Sequence, residues 1–267
     1  MNLRGKFALV TGGSRGIGRG IVLKLAEEGV SVAIGYHKND AAAKETLERA
    51  RQHGVDGFVI QADVSRPAEV QRMFGEVRAR FRRLDIFVAN ARPELPDFYR
   101  GPMDLTLENW DVALDSQAKA FLVGAREAAG LMTVGGRIIA ITYSPAVRTG
   151  TWQPFVAMGS AKAAMETLCR YFAVTLARRG ITVNAVSPGL TDDSVFNGLP
   201  AEVQDIGRKW HASGWTPAGR MGTPADIGNF VALVCADEAS WLTGQVIAVD
   251  GGASLVDTLL PLEIQRG

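Results

Sequence analysis

Several features are scarce in this chain of 267 residues, and each scarcity excludes a class of protein. Basic and acidic side chains nearly balance at a formal net charge of +1, so no strong field would attract nucleic acid or an anionic membrane. No apolar run reaches the length that a membrane-spanning helix needs. The first strand-like run begins by residue 6, which leaves no room for a signal peptide. We therefore expect a cytoplasmic protein whose partners include neither nucleic acid nor a membrane.

Cysteine is scarce too, since only Cys169 and Cys235 are present. Both fall inside predicted amphipathic helices, where buried thiols are more common than a disulfide or a metal pair. Two buried thiols suit a reducing compartment, and we expect no metal site.

Strand-like and helix-like patterns alternate along the whole chain, which is typical of a parallel sheet with crossover helices. Strands are predicted near 6–11, 31–36, 56–62, 84–89, 136–142, 180–186 and 245–249. Helices are predicted near 16–29, 40–53, 67–82, 106–131, 154–178 and 224–236. Right-handed crossovers then give an α/β fold, a single doubly wound domain of the Rossmann type over residues 1–267.

Two segments, 90–105 and 189–220, lack a regular pattern. Both follow the carboxyl ends of predicted strands, which is where ligands bind in such sheets. Long loops at that edge often act as lids, so we expect both segments to be mobile and to contact substrate.

The stretch from Thr11 to Gly18, Thr-Gly-Gly-Ser-Arg-Gly-Ile-Gly, lies between the first strand and the first helix. Its glycines are spaced Gly-x-x-x-Gly-x-Gly, at Gly12, Gly16 and Gly18. Glycines allow a tight turn and a close approach to a pyrophosphate, whose charge is favourable at a helix N-terminus. The pattern therefore predicts a dinucleotide site.

Further motifs follow in order along the chain. They are Asp63-Val64, Asn90-Ala91, Lys162-Ala163-Ala164, Val183-Asn184-Ala185-Val186-Ser187-Pro188-Gly189 and Val249-Asp250-Gly251-Gly252. Together with the glycine turn, they resemble the short-chain dehydrogenase/reductase family from Gly5 to about Leu255. The resemblance implies a seven-stranded parallel sheet with helices on both faces, a nicotinamide cofactor and a homotetramer.

Within that family the segment from Phe155 to Ala164 is similar to the catalytic segment of enoyl-acyl-carrier-protein reductases. The resemblance implies that Lys162 binds the nicotinamide ribose and lowers the pKa of a neighbouring tyrosine. Classical members place that tyrosine four residues before the lysine, and the enoyl reductases place it seven before. These positions hold Met158 and Phe155, neither of which can donate a proton.

The end of the second strand bears on which nicotinamide cofactor binds. NAD-specific members carry an acid there for the ribose 2′-hydroxyl, but this chain reads Tyr36-His37-Lys38. Arg15 adds positive charge from the glycine turn, so a 2′-phosphate would be attracted. We expect NADPH, with NADH disfavoured. The expected cofactor-binding residues are Gly12, Ser14, Arg15, Gly16, Ile17, Gly18, Tyr36, His37, Lys38, Asp63, Val64, Asn90, Ala91, Lys162, Pro188, Gly189 and Thr191.

A replacement for the missing tyrosine must come from elsewhere. Tyr143 ends the fifth strand, which delivers substrate-binding groups in this fold, so Tyr143 or the next residue, Ser144, is expected to act with Lys162 in catalysis. Tyr99 is a second candidate donor, and an alternative for Tyr143 is that it only packs over the substrate. The expected substrate-binding residues are Arg92, Tyr99, Phe155, Met158 and Trp215.

The chemistry favours one reaction over another. Reducing a ketone creates an alkoxide that needs a nearby acid, whereas reducing a conjugated double bond creates a delocalised enolate. The sequence therefore predicts an NADPH-dependent reductase of an activated carbon–carbon double bond in a small-molecule or carrier-bound acyl substrate. Two alternatives stay open: reduction of a ketone, quinone or imine with a displaced proton donor, and a cofactor-binding protein with a non-redox role.

Overall fold

A computed structural model describes residues 2–133, 135–143, 152–256 and residue 262. Its sheet has seven parallel strands in the order β3-β2-β1-β4-β5-β6-β7, so the chain reverses its direction of winding after β3. The strands are β1 (Phe7–Thr11), β2 (Ser31–Tyr36), β3 (Gly57–Gln61), β4 (Ile86–Ala89), β5 (Gly136–Ile141), β6 (Ile181–Pro188) and β7 (Val246–Val249). The predicted doubly wound parallel sheet is confirmed.

Helices cover both faces of this sheet. In chain order the described ones are α1 (Gly16–Glu27), α2 (Asp40–Arg51), α3 (Pro67–Phe81), α4 (Leu95–Phe98), α5 (Leu107–Leu114), α6 (Ala120–Leu131), α7 (Val156–Leu176), α8 (Ala201–Trp210) and α9 (Pro224–Cys235). A π-helical turn, Asp115–Lys119, joins α5 to α6, and a second, His211–Trp215, follows α8.

The core consists of two large apolar layers that share the strands. Leu9 of β1 packs on one face with α3, α6 and α7, while Val10 packs on the other with α1, α2 and α9. The central strands are buried on both faces and therefore need continuous apolar runs, which makes them recognisable in the sequence, whereas the edge strand β7 is only partly buried. Cys169 and Cys235 are free thiols buried in these two layers, as expected.

Local chemistry fixes several helix ends where the sequence predicts them. Thr223 caps α9 in a capping box with Asp226, and Pro224 occupies the first helical position. Gly29 and Gly180 take positive φ angles of 84° and 68° after helices, where a side chain would be strained.

The prediction that 189–220 is irregular is wrong, because Ala201–Trp210 forms a helix. Glu202 lies in its first turn and Arg208 and Lys209 in its last, which favours the helix through its dipole. None of its residues is buried, yet Val203, Ile206 and Trp210 recur at helical spacing, a periodicity that could have predicted the helix. Among the described residues, no helix is long and apolar enough to cross a membrane.

Candidate active site

A cleft of about 1010 Å³ runs along the carboxyl edge of the sheet, beside the point where the winding reverses. Most of the residues expected at the site line this cleft. They are Gly12, Ser14, Arg15, Ile17, Gly18, Tyr36, His37, Lys38, Asp63, Val64, Asn90, Ala91, Arg92, Tyr143, Phe155, Met158, Lys162, Pro188, Gly189 and Thr191.

The glycine turn provides space and free donors at one end of the cleft. A Cβ on Gly18 would lie 2.1 Å from the Gly12 carbonyl oxygen, and one on Gly12 would lie 2.8 Å from the Ala91 Cα. Gly12 and Gly16 take φ angles of 65° and 55°. Arg15 starts α1 without a side-chain cap, and the first turn holds no acid. The N–H groups of α1 are therefore available to a phosphate, as a dinucleotide site requires.

Asn90 locks the turn after β4 to the glycine turn. Its Nδ2 donates to the carbonyl oxygens of Thr11 and Gly12 at 3.0 and 3.1 Å. The Thr11 hydroxyl oxygen accepts from the backbone N–H groups of Asn90 and Ala91 at 3.0 and 3.2 Å. The two loops that flank the cleft are thus one hydrogen-bonded unit.

The far end of the cleft, beyond β2, is lined by Tyr36, His37 and Lys38. An acid missed from the sequence, Asp40, also lines it and accepts a hydrogen bond from the Tyr36 hydroxyl at 2.7 Å. A second acid, Glu94, pairs with Arg15 at 3.0 Å. Arg15 therefore faces the cleft as one partner of an exposed ion pair rather than as a free cation, and a phosphate would compete with Glu94 for it.

Lys162 is buried at the opposite end, where α7 meets the end of β5. Its Nζ donates to the Ile141 carbonyl oxygen at 2.6 Å. Burial, together with the positive charge of Arg92, lowers the pKa of Lys162 to about 7, and the nearby Glu166 opposes this shift.

Glu166 is a buried group that the sequence reasoning missed. It lies one helical turn beyond Lys162 and accepts a hydrogen bond from the Thr142 hydroxyl at 2.5 Å. Burial raises the pKa of Glu166, while its bond to Thr142 opposes the change. The signal for it was its spacing, since residues four apart share one helix face.

Aromatic side chains form the wall beyond Lys162. The Phe155 ring stacks on Trp152 with centroids 4.2 Å apart and lies 5.6 Å from the ring of Tyr143. Phe98 and Tyr99 pack edge-on against Phe155 at 5.1 and 5.8 Å. Such a wall suits a flat or apolar substrate.

Tyr143 presents its ring to the cleft. Burial raises the pKa of its phenol to about 12, so the hydroxyl stays protonated at neutral pH. Met158, four residues before Lys162, lies on the same wall and packs with Phe98 and Ala161. An apolar side chain thus lies at the position where the family resemblance implies the classical tyrosine.

Three expected site residues lie elsewhere. Tyr99 packs behind Phe155 and does not line the cleft. Trp215 stacks on Trp210 at 4.6 Å, also away from the cleft lining. Gly16 lies beneath the loop after β6, where a Cβ would approach the Ser194 hydroxyl to 2.8 Å. A fourth, Ser144, lies outside the described residues.

Asp193, in the loop after β6, also lines the cleft. It accepts hydrogen bonds from the backbone N–H groups of Val195 and Phe196 at 2.8 and 3.2 Å. Burial raises the pKa of its carboxyl, opposed by those bonds and by Arg92. Its carboxylate lies beside Gly16 of the glycine turn, close to where a phosphate would bind.

Known proteins are similar to this chain over most of its length. Residues 12–254 match the family described as Enoyl-(Acyl carrier protein) reductase. The chain is 37% identical over 259 residues to the 1-cyclohexenylcarbonyl-CoA reductase of Streptomyces collinus, covering 95% of this chain and 88% of that protein.

Solved structures share the fold. The angucycline C-6 ketoreductase LanV with bound NADP superposes with a TM-score of 0.86 at 33% identity, over 96% of this chain and 98% of that one. A short chain dehydrogenase from Burkholderia cenocepacia J2315 in complex with NADP gives a TM-score of 0.85 at 34% identity, over 95% and 99%.

Proposed function

Because the chain belongs to the short-chain dehydrogenase/reductase family, in the group described as enoyl-(acyl carrier protein) reductases, we propose that it reduces an activated carbon–carbon double bond with NADPH. The proposed substrate is an enoyl thioester or a related biosynthetic intermediate. One observation carries this proposal: the cofactor cleft and Lys162 are intact, while apolar Phe155 and Met158 hold both tyrosine positions. Such a site favours a delocalised enolate over an alkoxide.

NADPH supplies a hydride when it is bound. The glycine turn and the N-terminus of α1 would hold its diphosphate, and Lys162 would bind the nicotinamide ribose. Arg15 and Lys38 favour the 2′-phosphate, and the two structural relatives with bound NADP support the same choice.

The protein's own groups orient the acyl part of the substrate. The aromatic wall of Trp152 and Phe155 excludes water from the acyl chain. In this proposal the protonated Tyr143 hydroxyl would donate a hydrogen bond to the substrate carbonyl oxygen, which gains charge as the double bond is reduced.

A second candidate, ketone reduction, is favoured by the likeness to LanV, which is a ketoreductase. In that reaction Tyr143 would be the displaced acid. Its high pKa keeps the phenol protonated at neutral pH, while the classical tyrosine position holds the apolar Met158.

Single-turnover oxidation of NADPH with two matched substrates tests the proposal. Crotonyl and acetoacetyl thioesters of the same carrier differ in whether a double bond or a ketone is reduced. We expect NADPH consumption with the crotonyl compound and at least about a hundredfold slower reaction with the ketone, because no acid occupies either tyrosine position. Faster reaction with the ketone would contradict the proposal.

A further inference from the structure

Arg92 is a cation on the cleft wall that forms no ion pair among the described residues. Its Nη1 donates to the Pro93 carbonyl oxygen at 2.8 Å, the one protein hydrogen bond of this side chain among the described residues. A guanidinium carries five N–H donors, and no carboxylate in the described part of the chain lies within ion-pair distance of it. By contrast, Arg15 and Arg19 nearby are each paired with a glutamate.

The backbone of Arg92 is held firmly in place. Gln117, in the π-helical turn, donates from Nε2 to the Ala91 carbonyl oxygen at 3.0 Å. Thr11 accepts from the Ala91 N–H on the other side, as described above. π-helical turns often accompany functional sites, and this one fixes the residue before Arg92. The guanidinium therefore projects from a rigid support.

Arg92 lies within electrostatic range of Lys162 and of Asp193. The positive charge of Arg92 helps to lower the pKa of Lys162 and stabilises the carboxylate of Asp193. Burial lowers the pKa of Arg92 itself, and Asp193 and Glu94 oppose that shift. Arg92 and Lys162 thus line the same cleft as the aromatic wall of Trp152 and Phe155. The guanidinium donors that Pro93 does not use have no protein partner among the described residues, so they are available to an anionic ligand in the cleft.

We propose that Arg92 binds the substrate carbonyl oxygen and stabilises the negative charge that forms on it, in place of the absent tyrosine. This role rests on the proposed function. The hydride adds to the β-carbon, the electron pair of the double bond moves to the carbonyl oxygen, and a proton then adds to the α-carbon from solvent. A saturated thioester and NADP⁺ result.

This role agrees with the reaction class for a chemical reason. An arginine stabilises an oxyanion but does not give up its proton, because the guanidinium stays protonated in proteins. It can therefore replace a tyrosine where the product of hydride transfer is an enolate, which is protonated later on carbon. It cannot replace one where an alkoxide must be protonated on oxygen.

The shared chemistry is an oxyanion, which can also come from the phosphates of a carrier or of the cofactor. Arg92→Gln and Arg92→Lys, with Arg100→Gln as a matched control outside the cleft, separate these sources. Two substrates are used with saturating NADPH: crotonyl-CoA and the crotonyl thioester of N-acetylcysteamine, which carries no phosphate. NADPH affinity is measured separately by fluorescence titration.

We expect Arg92→Gln to slow single-turnover reduction of both thioesters by about a hundredfold or more, Arg92→Lys to recover part of the rate, and NADPH affinity to stay unchanged. Arg100→Gln should match the wild type. A loss confined to KM for crotonyl-CoA would mean that Arg92 binds carrier phosphate, and weaker NADPH binding would mean that it binds cofactor phosphate. Either result, or no change, would overturn the proposal.

A binding measurement tests the oxyanion site independently of whether the protein catalyses the proposed reaction. Crotonate carries an oxyanion at the place of the thioester carbonyl, and its binding to the enzyme–NADP⁺ complex is measured by calorimetry. We expect Arg92→Gln to weaken it by about tenfold or more. If neither thioester is reduced but crotonate binding depends on Arg92, the proposed function fails and the oxyanion site stands. Binding that is independent of Arg92 overturns the site itself.

Discussion

At the scale of the residue, the burial of Lys162 disfavours the positive charge that its proposed role requires. The family role needs a cation near the nicotinamide ribose, yet the side chain is enclosed by α7 and the end of β5 and lies in the field of Arg92. Burying a cation beside another cation costs free energy that the fold must offset elsewhere. The nearby Glu166 carboxyl favours the charged form of Lys162 and so offsets part of that cost.

This cost predicts a pH dependence of stability. The pKa of Lys162 is about 7 in the folded state and lies below its ordinary value of 10.5, so the unfolded chain binds more protons between these two pH values. Stability contributed by this group therefore rises with pH above about 7, by up to ~1.4 kcal/mol per pH unit.

Lys162→Met keeps the apolar stem and removes the titration. Denaturant unfolding of wild type and variant at several pH values between about 7 and 10 should show the wild type gaining stability relative to the variant as pH rises. If the free energies of unfolding of the two proteins change in parallel with pH, the pKa of Lys162 in the folded state is not near 7.

Tyr143 provides a second test at this scale. Because Arg92 carries the oxyanion in our account, Tyr143→Phe should lose one neutral hydrogen bond and slow crotonyl reduction by about tenfold. Tyr99→Phe is the matched control, since Tyr99 packs behind Phe155 and should leave the rate unchanged. Complete loss of turnover in Tyr143→Phe would instead make it the essential acid.

At the scale of the element, the strand–turn–helix unit of β1 and α1 is the proposed binding site for the cofactor diphosphate. Gly18→Ala would place a Cβ 2.1 Å from the Gly12 carbonyl oxygen, which is backbone and cannot move aside cheaply. We expect NADPH binding to weaken by at least about a hundredfold, measured by fluorescence titration. The cause is a displaced turn rather than a lost contact.

Gly75→Ala is the control for that experiment. Gly75 lies within α3, and a Cβ there meets nothing within 4 Å. Alanine in a helix is better than glycine by about 0.5–1 kcal/mol, so the melting temperature should rise while NADPH affinity is unchanged. Equal loss of affinity in both variants would show that the effect of Gly18→Ala is not local.

The elements also show which parts of the site the sequence can and cannot predict. The glycine turn, Asn90 and Lys162 follow strands or lie in a strongly patterned helix, so their positions along the cleft were predictable. Pairings across loops were not: Glu94 meets Arg15 only because the turn after β4 folds toward the glycine turn. Side-chain direction was equally hidden, which is why Trp215 was expected in the cleft but stacks on Trp210.

At the scale of the whole molecule, α7 leaves two large side chains on its outer face. Tyr171 and Val174 are 72% and 82% exposed, and residues three apart are neighbours on a helix surface. Adjacent exposed apolar groups of this kind mark interfaces. The family resemblance implies a homotetramer, and we propose that this face of α7 takes part in it.

Val174→Asp would place a charge on that face. We expect a smaller species by size-exclusion chromatography with light scattering, because an unpaired charge disfavours burial. Met103→Asp, at a position 95% exposed on a different part of the chain, is the control and should leave the assembly intact. An unchanged assembly in Val174→Asp would exclude this face from the interface.

The central claim is that the missing tyrosine directs hydride to carbon of a double bond rather than to a carbonyl. The most direct test gives the enzyme an equal mixture of crotonyl and acetoacetyl N-acetylcysteamine thioesters with NADPH that carries deuterium at the transferred position, using both C4 epimers. Mass spectrometry then locates the label. Our account predicts deuterium on the β-carbon of the saturated butyryl product. Deuterium on the carbinol carbon of a hydroxybutyryl product would contradict it.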